Sequence, residues 1–304
     1  MYNVKVSSDK ADEAVAAVAE AIAFPPSDSY IVGEMKASAE VVYAKVASTP
    51  ELQLVELLHD AAFGESTPLG ASTYASKLDK LCQDEVMAYR HAHFTAPRMT
   101  VAASGGVSHE SLKQMVECYL HSVPAGSAVT VPASPYQGGD MKVRADMDGM
   151  TYLGLAFPVP AGDAAKPYSV VYSALSAKIG AMGLPSGSLS AFYAPYTTGG
   201  IFGVYASGTP AAATSALEAA VAELKAIASG STGVDGHKAK VALEFSADSS
   251  PDALLTAAFA DVKSVTASAV ASAAATALKA VPTYAVLGAT LGTPSYSAVT
   301  KMVK

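Results

Sequence analysis

Two stretches of this 304-residue chain repeat one another at fixed spacing, and that duplication constrains the fold more than any other feature. The helical pattern from Leu81 through Val86 to Phe94, followed by strand-like Met99 to Ala103 and Ser104, aligns with Val265 through Val270 to Leu278, followed by Thr283 to Leu287 and Gly288. The offset is 184 residues throughout. Upstream, Val4-Lys5-Val6-Ser7 and its helix match Val204-Tyr205-Ala206-Ser207 and its helix, at an offset of 200. The order strand, four helices, strand is therefore written twice, and duplication of one α+β unit is the simplest account. The copies are unequal. The second is preceded by a hairpin, a helix and a strand (Met141 to about Thr198) that the first lacks, so domain one is expected to be truncated by its first third. A sheet without those strands would present an unpaired edge and a bare apolar face. A second polypeptide could complete it, unless the sequence itself is incomplete.

Local signals fill in the elements. Tyr2 to Ser7 alternates as a strand does, so no signal or transit peptide is expected. Asp9 is placed to cap a helix through Val15, Val18 and Ile22 that Phe24-Pro25-Pro26 stops. Ser29 to Ala47 reads as a second helix. In Leu54 to Gly70 an amphipathic helix, with Leu54, Leu57, Leu58 and Ala61 on one face, runs into Phe63-Gly64 and a polar turn. Leu78 to Phe94 is predicted helical and Arg98 to Ser104 a strand, and Ser108 is the N-cap of a helix reaching Leu120. Pro124 to Gly139, rich in small residues, is the natural linker. The predicted organisation is thus a truncated domain over 1–123, a linker over 124–139 and a second domain over 140–304. There, Lys142 to Ala145 and Thr151 to Phe157 flank Asp148-Gly149 as a hairpin. A helix follows Pro167 through Ile179, then strands Ser190 to Ala194 and Ile201 to Ser207. Thr209-Pro210 opens a helix to Ile227. Three further helices and a strand, Thr283 to Leu287, complete the pattern.

Composition narrows the function. Charged residues make up only 15% and hydrophobic ones 51%, with mean hydropathy +0.28. The alanine-rich run Ser264 to Leu278 is too short to span a bilayer, so no transmembrane helix is expected. The apolar surplus points instead to a subunit that loses surface to partners. Net charge −7 and pI near 5.3, with no basic stripe, argue against nucleic acid as the main partner. Cys82 and Cys118 fall in predicted helices without C-x-x-C spacing and read as two reduced core thiols.

The stretch LLHDAAFGESTPLG, followed by HFTAPRMTVAASGGVSHESLKQMVECYL, resembles the end of the first domain in the mitochondrial processing peptidase and cytochrome bc1 core protein family. These proteins are relatives of the zinc peptidases with the inverted H-x-x-E-H motif. FYAPYTTGGIFGVYASG resembles the family segment Ser-Tyr-x-Asp-Ser-Gly-Leu-Trp/Phe-Gly-hydrophobic-Tyr: Tyr196, Gly200, Ile201, Phe202, Gly203 and Tyr205 match, while Thr198 and Gly199 replace Asp-Ser. HFTAPRM and the turn G-V-S-H-x-x-L-K-Q lean toward core protein 2. The resemblance implies two similar α+β domains, each a mixed sheet flanked by helices and closing like a clam shell, the first truncated here. It implies a non-catalytic scaffold subunit of ubiquinol–cytochrome c reductase (complex III), peripheral on the matrix side of the mitochondrial inner membrane, beside a core-1-like subunit and other bc1 subunits. The alternative is the non-catalytic, substrate-binding subunit of a heterodimeric processing peptidase.

Active relatives bind zinc through two His of H-x-x-E-H and a later Glu. Neither H-x-x-E-H nor H-E-x-x-H occurs in this sequence. Glu34 and Glu40 are the only carboxylates on the helix where the resemblance places the last ligand, and a solvated face accounts for both. His91 and His93 are two apart and diverge on a helix. His59-Asp60 admits a catalytic dyad or a contact to backbone or partner, and we take the contact. His109 reads as a surface residue of a first turn. Ser104-Gly105-Gly106 lacks any phosphate-loop pattern. Gly180 to Ser188, where the peptidase α-subunit carries a glycine-rich substrate loop, is short and broken by proline. No catalytic, cofactor-binding or metal-binding residue is assigned, and no cofactor is expected.

Overall fold

The duplicated strands meet different fates in the computed structural model, which describes residues 2–24, 28–74, 78–79, 81–127, 132–185, 188–230, 233–244 and 262–304. The chain divides into two units. The first draws its described residues from 2–43 and 78–127, the second from 44–74, 132–244 and 262–304. The central part of the predicted linker, 128–131, lies outside the described residues, as do residues 245–261 within the stretch where three further helices are expected.

The second unit is built on one mixed sheet of β1 (Gly139–Arg144), β2 (Thr151–Val159), β3 (Leu189–Tyr196), β4 (Gly199–Gly208) and β5 (Thr283–Gly288). Their order is β1-β5-β2-β4-β3, with β1 parallel to β5 and every other pair antiparallel. This corrects the predicted hairpin at Asp148-Gly149. The tight turn forms, with Asp148 at φ +51°, Gly149 at φ +74° and the Met150 N–H on the Met147 carbonyl at 2.8 Å. Yet β5 inserts between the two strands that the turn joins, and β1 and β2 share no ladder. The true hairpin is β3–β4, closed by two residues between Tyr196 and Gly199.

Strand β2 is central and buried on both faces, which explains its near-continuous apolar run. Leu153, Leu155 and Phe157 project to one side. There they pack with Val170, Val171 and Leu175 of α6 (Lys166–Ala181) and with α7 (Pro210–Ala228) and α9 (Ala267–Lys279). α8 (Asp235–Glu244) leans on α6, and α10 (Tyr296–Val303) on α7. Thr209, Thr266 and Ser295 accept the third-residue N–H of α7, α9 and α10, satisfying a donor the helix cannot.

The other face of the sheet is covered by α3 (Pro50–Phe63), a helix of the first sequence copy. Leu54, Leu58, Ala62 and Phe63 bury against Ala156, Ile201, Ala285 and Leu287. Each large side chain so buried contributes about 1.5–3 kcal/mol. The buried stripe is rotated from the predicted one: Ala62 and Phe63 enter the core, while Ala61 is half-buried. Gly154 on β2 makes this approach possible, since a Cβ there would lie 2.7 Å from Leu58 Cδ1. α3 ends at Gly64, whose φ of +82° lets its N–H close on the Asp60 carbonyl.

The first unit contains α1 (Ala11–Ala23), α2 (Ser29–Ala47, entering the second unit at Ala44), α4 (Gln83–His93) and α5 (His109–Tyr119). α1 packs on α5, with the Tyr119 hydroxyl donating to Asp12 at 2.7 Å, and Arg90 donates to the Ile22 carbonyl. Tyr2 to Ser7 and Arg98 to Ser104 are not strands here. In the second unit the matching segments lie in β4 and β5, which are separated by β2. Among the described residues the first unit offers neither segment such a neighbour, and a strand without a ladder has no partner for its backbone groups. Asp9 is not a cap either; it sits inside a 3₁₀ turn, Ser8–Lys10, that precedes α1. α4 is shorter than predicted and is capped by a reciprocal Cys82/Glu85 box. Cys82 and Cys118 are both exposed, which corrects their reading as core thiols. No helix among the described residues is long and apolar enough to cross a membrane.

Candidate functional site

One face of α3 docks on the sheet and the opposite face remains available. Leu52, Val55, Glu56 and His59 follow helical spacing on that second face. The chain leaving α3 folds back beside them. Leu69 N–H donates to Ser134 Oγ at 3.2 Å, and Gln137 N–H donates to the Ala62 carbonyl at 2.7 Å. Thr73 N–H donates to Glu56 Oε2 at 3.0 Å. These bonds hold Pro68 to Tyr74 against the helix and leave a cleft of about 280 Å³ between them, floored at one end by Tyr196.

His59 fixes the polar end of this cleft. Its Nδ1 lies 2.8 Å from the Val55 carbonyl, which can only accept, so Nδ1 carries a proton, and in the neutral imidazole Nε2 is an acceptor. In that neutral tautomer the Tyr196 hydroxyl, 2.7 Å from Nε2, is the donor of the pair. The two rings meet edge-on, 5.7 Å apart. Burial pushes the Tyr196 hydroxyl above its ordinary range, and the Glu56 carboxylate adds to the shift. Tyr196 reaches α3 because even-numbered residues of β3 face that helix, as Phe192 and Ala194 also do. Sequence reasoning considered His59 only with Asp60 and Tyr196 only as a motif match. Their 137-residue separation left no local signal joining them.

The other candidates stay apart. Glu34 accepts from Tyr30 at 3.0 Å on the exposed face of α2, and Glu40 is exposed on the same helix. His93 meets the Tyr89 ring at a tilt, 4.2 Å between centroids, and accepts from Arg98 at 2.6 Å, while His91 is exposed. His109 is the first residue of α5 and lies open, as do Ser104, Gly105 and Gly106. Gly180 sits in the last turn of α6, and residues 186–187 of the glycine-containing loop lie outside the described residues. No group of three His, Cys, Asp or Glu among the described residues could hold a metal ion.

Residues 80–240 match the family model of the peptidase M16 inactive domain. Among curated relatives, the probable mitochondrial-processing peptidase subunit alpha-1 of Arabidopsis thaliana is 29% identical over 254 residues, 75% of this chain and 50% of that protein. The rat cytochrome b-c1 complex subunit 2 is 27% identical over 219 residues, 66% of this chain and 47% of that protein. The chain thus spans about half the length of the curated relatives it matches. Among solved structures, a chain of complex III2 from Candida albicans superposes with a TM-score of 0.79 at 15% identity, covering 98% of this chain and 81% of that one. At that identity the likeness shows the fold.

Proposed function

Since the chain belongs to the peptidase M16 family through its inactive domain, we propose that it is a non-catalytic, core-2-like scaffold subunit of ubiquinol–cytochrome c reductase. In this reading it lies on the matrix side of the mitochondrial inner membrane, pairs with a core-1-like subunit and reaches the membrane only through partners. Its contribution is assembly and stability, with no redox or metal centre of its own. The observation that carries the reading is α2. Tyr30, Met35, Val41, Val42 and Tyr43 are all exposed on this one helix, Tyr30 by 72% and Val41 by 69%. So much exposed apolar surface on one helix is the mark of an element that another chain covers. The boundaries 1–123, 124–139 and 140–304 then describe ancestry, with α3 lent by the first copy to the sheet of the second. A second polypeptide completing the first copy belongs to the same proposal.

A second reading makes the chain the non-catalytic, substrate-binding subunit of a heterodimeric processing peptidase. The plant peptidase α-subunit favours it, matching more of this chain than the rat bc1 subunit does. Native electrophoresis of gently solubilised mitochondrial membranes, with mass spectrometry of each band, separates the two. We expect this chain to migrate with b- and c-type haem. Recovery only in a haem-free soluble heterodimer would overturn the scaffold assignment and favour the second.

A further inference from the structure

Among the described residues, the first unit keeps the helical frame of the second without the strand that completes its ladder. α1 and α4 fall on α7 and α9 at the offsets of 200 and 184. α1 packs on α5 as α7 packs on α10, and Arg90 of α4 donates to the Ile22 carbonyl of α1. In the second unit the corresponding strand ends, Gly208 and Gly288, both register with Thr151 of β2. In the first unit the chain after the two segments also converges: a Cβ on Gly106 would lie 2.8 Å from Ser8 Oγ. Tyr2 to Val6 and Thr100 to Ser104 are nevertheless exposed, and no backbone hydrogen bond reaches either segment among the described residues.

The second unit shows what fits between such segments. There β2 lies antiparallel to both β4 and β5. Leu153 and Leu155 point to the helices with Val204 and Ala206, and Gly154 lies on the opposite face between Tyr205 and Ala285. By the same register Val4, Val6 and Ala102 take the helix-facing side, and Lys5 and Val101 the other. Gly154 is small because Leu58 presses on it. Its counterpart would instead lie beside Lys5, which is exposed and makes no ion pair among the described residues. A carboxylate directly across a ladder from a lysine stabilises the pair, and a second cation there opposes it. We propose that the first unit binds an extended segment of a second polypeptide as a β-strand between Tyr2–Ser7 and Met99–Ala103, antiparallel to both. That strand carries apolar side chains toward the helices and a carboxylate between Lys5 and Val101. This rests on the reading that a second polypeptide completes the first copy, and it gives that polypeptide its chemistry.

Hydrogen exchange of the purified 304-residue chain, read by mass spectrometry, reports on both segments at once. The end-blocked peptide Thr-Tyr-Leu-Glu-Leu-Ala-Phe carries the β2 sequence from Thr151 to Phe157 with glutamate at the place of Gly154. At saturation, Tyr2 to Ser7 and Met99 to Ala103 should exchange at least about tenfold more slowly, with β4 and β5 unchanged. Lysine in place of the glutamate should weaken binding about fivefold. In Lys5→Glu the order of the two peptides should reverse, and the unaltered protection of β4 and β5 establishes that this variant is folded. N-methylation of both leucine amides keeps the side chains, removes two ladder donors and should abolish the protection. Protection of neither segment or of only one, equal protection by the N-methylated peptide, or an unchanged order in Lys5→Glu each overturns the proposal. Native electrophoresis asks where the chain resides and these peptides ask what the first unit binds, so either result can fail without the other.

Discussion

Val204 to Ser207 and Val4 to Ser7 are related segments of one duplicated pattern, yet only the first is a strand. It sits in β4 between two antiparallel neighbours, with Val204 and Ala206 buried. In the other copy Val4 and Val6 are 53% and 48% exposed and no ladder forms among the described residues. Thr283 to Leu287 against Met99 to Ala103 repeats the contrast: β5 is buried at every position, while Val101 is 44% exposed. The difference teaches that strand propensity here is conditional. A β-branched, alternating segment becomes a strand when neighbours on both sides satisfy its backbone.

Hydrogen exchange should show this contrast at its largest. Amides of β4 and β5 are expected to exchange only through unfolding of the second unit, at an opening cost of about 5–15 kcal/mol. Amides of Tyr2 to Ser7 and Met99 to Ala103 should exchange near the rate of free peptide. Comparable protection in the two copies would break the comparison.

Point substitutions sharpen it. Leu58→Ala removes a side chain that is 1% exposed between α3 and the sheet and should cost about 2–5 kcal/mol in denaturant unfolding. Val4→Ala, at an exposed position of the first unit, should change stability by no more than about 0.5 kcal/mol. Gly154→Ala drives a methyl group into Leu58 and should cost about 1–3 kcal/mol. In the double variant with Leu58→Ala that cost should largely vanish, since the truncated side chain leaves room. Additive losses would show that α3 does not approach β2 through Gly154.

The smallest of these effects is a dependence on pH. Burial raises the hydroxyl pKa of Tyr136, Tyr168, Tyr193 and Tyr196 above the ordinary 10.0, and all four belong to the second unit. An unfolded tyrosine releases its proton near pH 10 while the folded one keeps it. Stability is therefore complete below pH 10 and falls as pH rises above it. Denaturant midpoints measured between pH 8 and about 11 should decline only in the upper part of that range, and less in Tyr136→Phe. A flat profile would mean that these hydroxyls are not held neutral by the fold.

Much of the local structure of both units was legible along the chain. Thr209-Pro210 marked the start of α7, Ser108 that of α5, and Ser29 to Ala47 coincides with α2, because caps, N1 prolines and helical spacing act over a few residues. α3 was read correctly as amphipathic, but which surface it covers was not. Its partners Ile201, Ala285 and Leu287 are over a hundred residues away. The hairpin at Asp148-Gly149 failed for the same reason: a turn dipeptide sets the local reversal, whereas insertion of β5 is a long-range choice. The cysteines were misplaced because helical sequence context does not say which side of a short helix faces solvent.

Sequence alone determined the duplication, the local helix and turn signals, the lack of an inverted zinc motif and the resemblance to the peptidase-like core proteins. Tertiary structure decided three things that spacing could not. It chose β5 as the neighbour of both β1 and β2, it gave α3 to the sheet of the other copy, and it set Tyr196 on His59 beside Glu56. Each joins residues distant in the chain, where the free energy comes from burial and from completing hydrogen bonds in space. Local sequence records what a segment can become; only its neighbours in three dimensions decide whether it does.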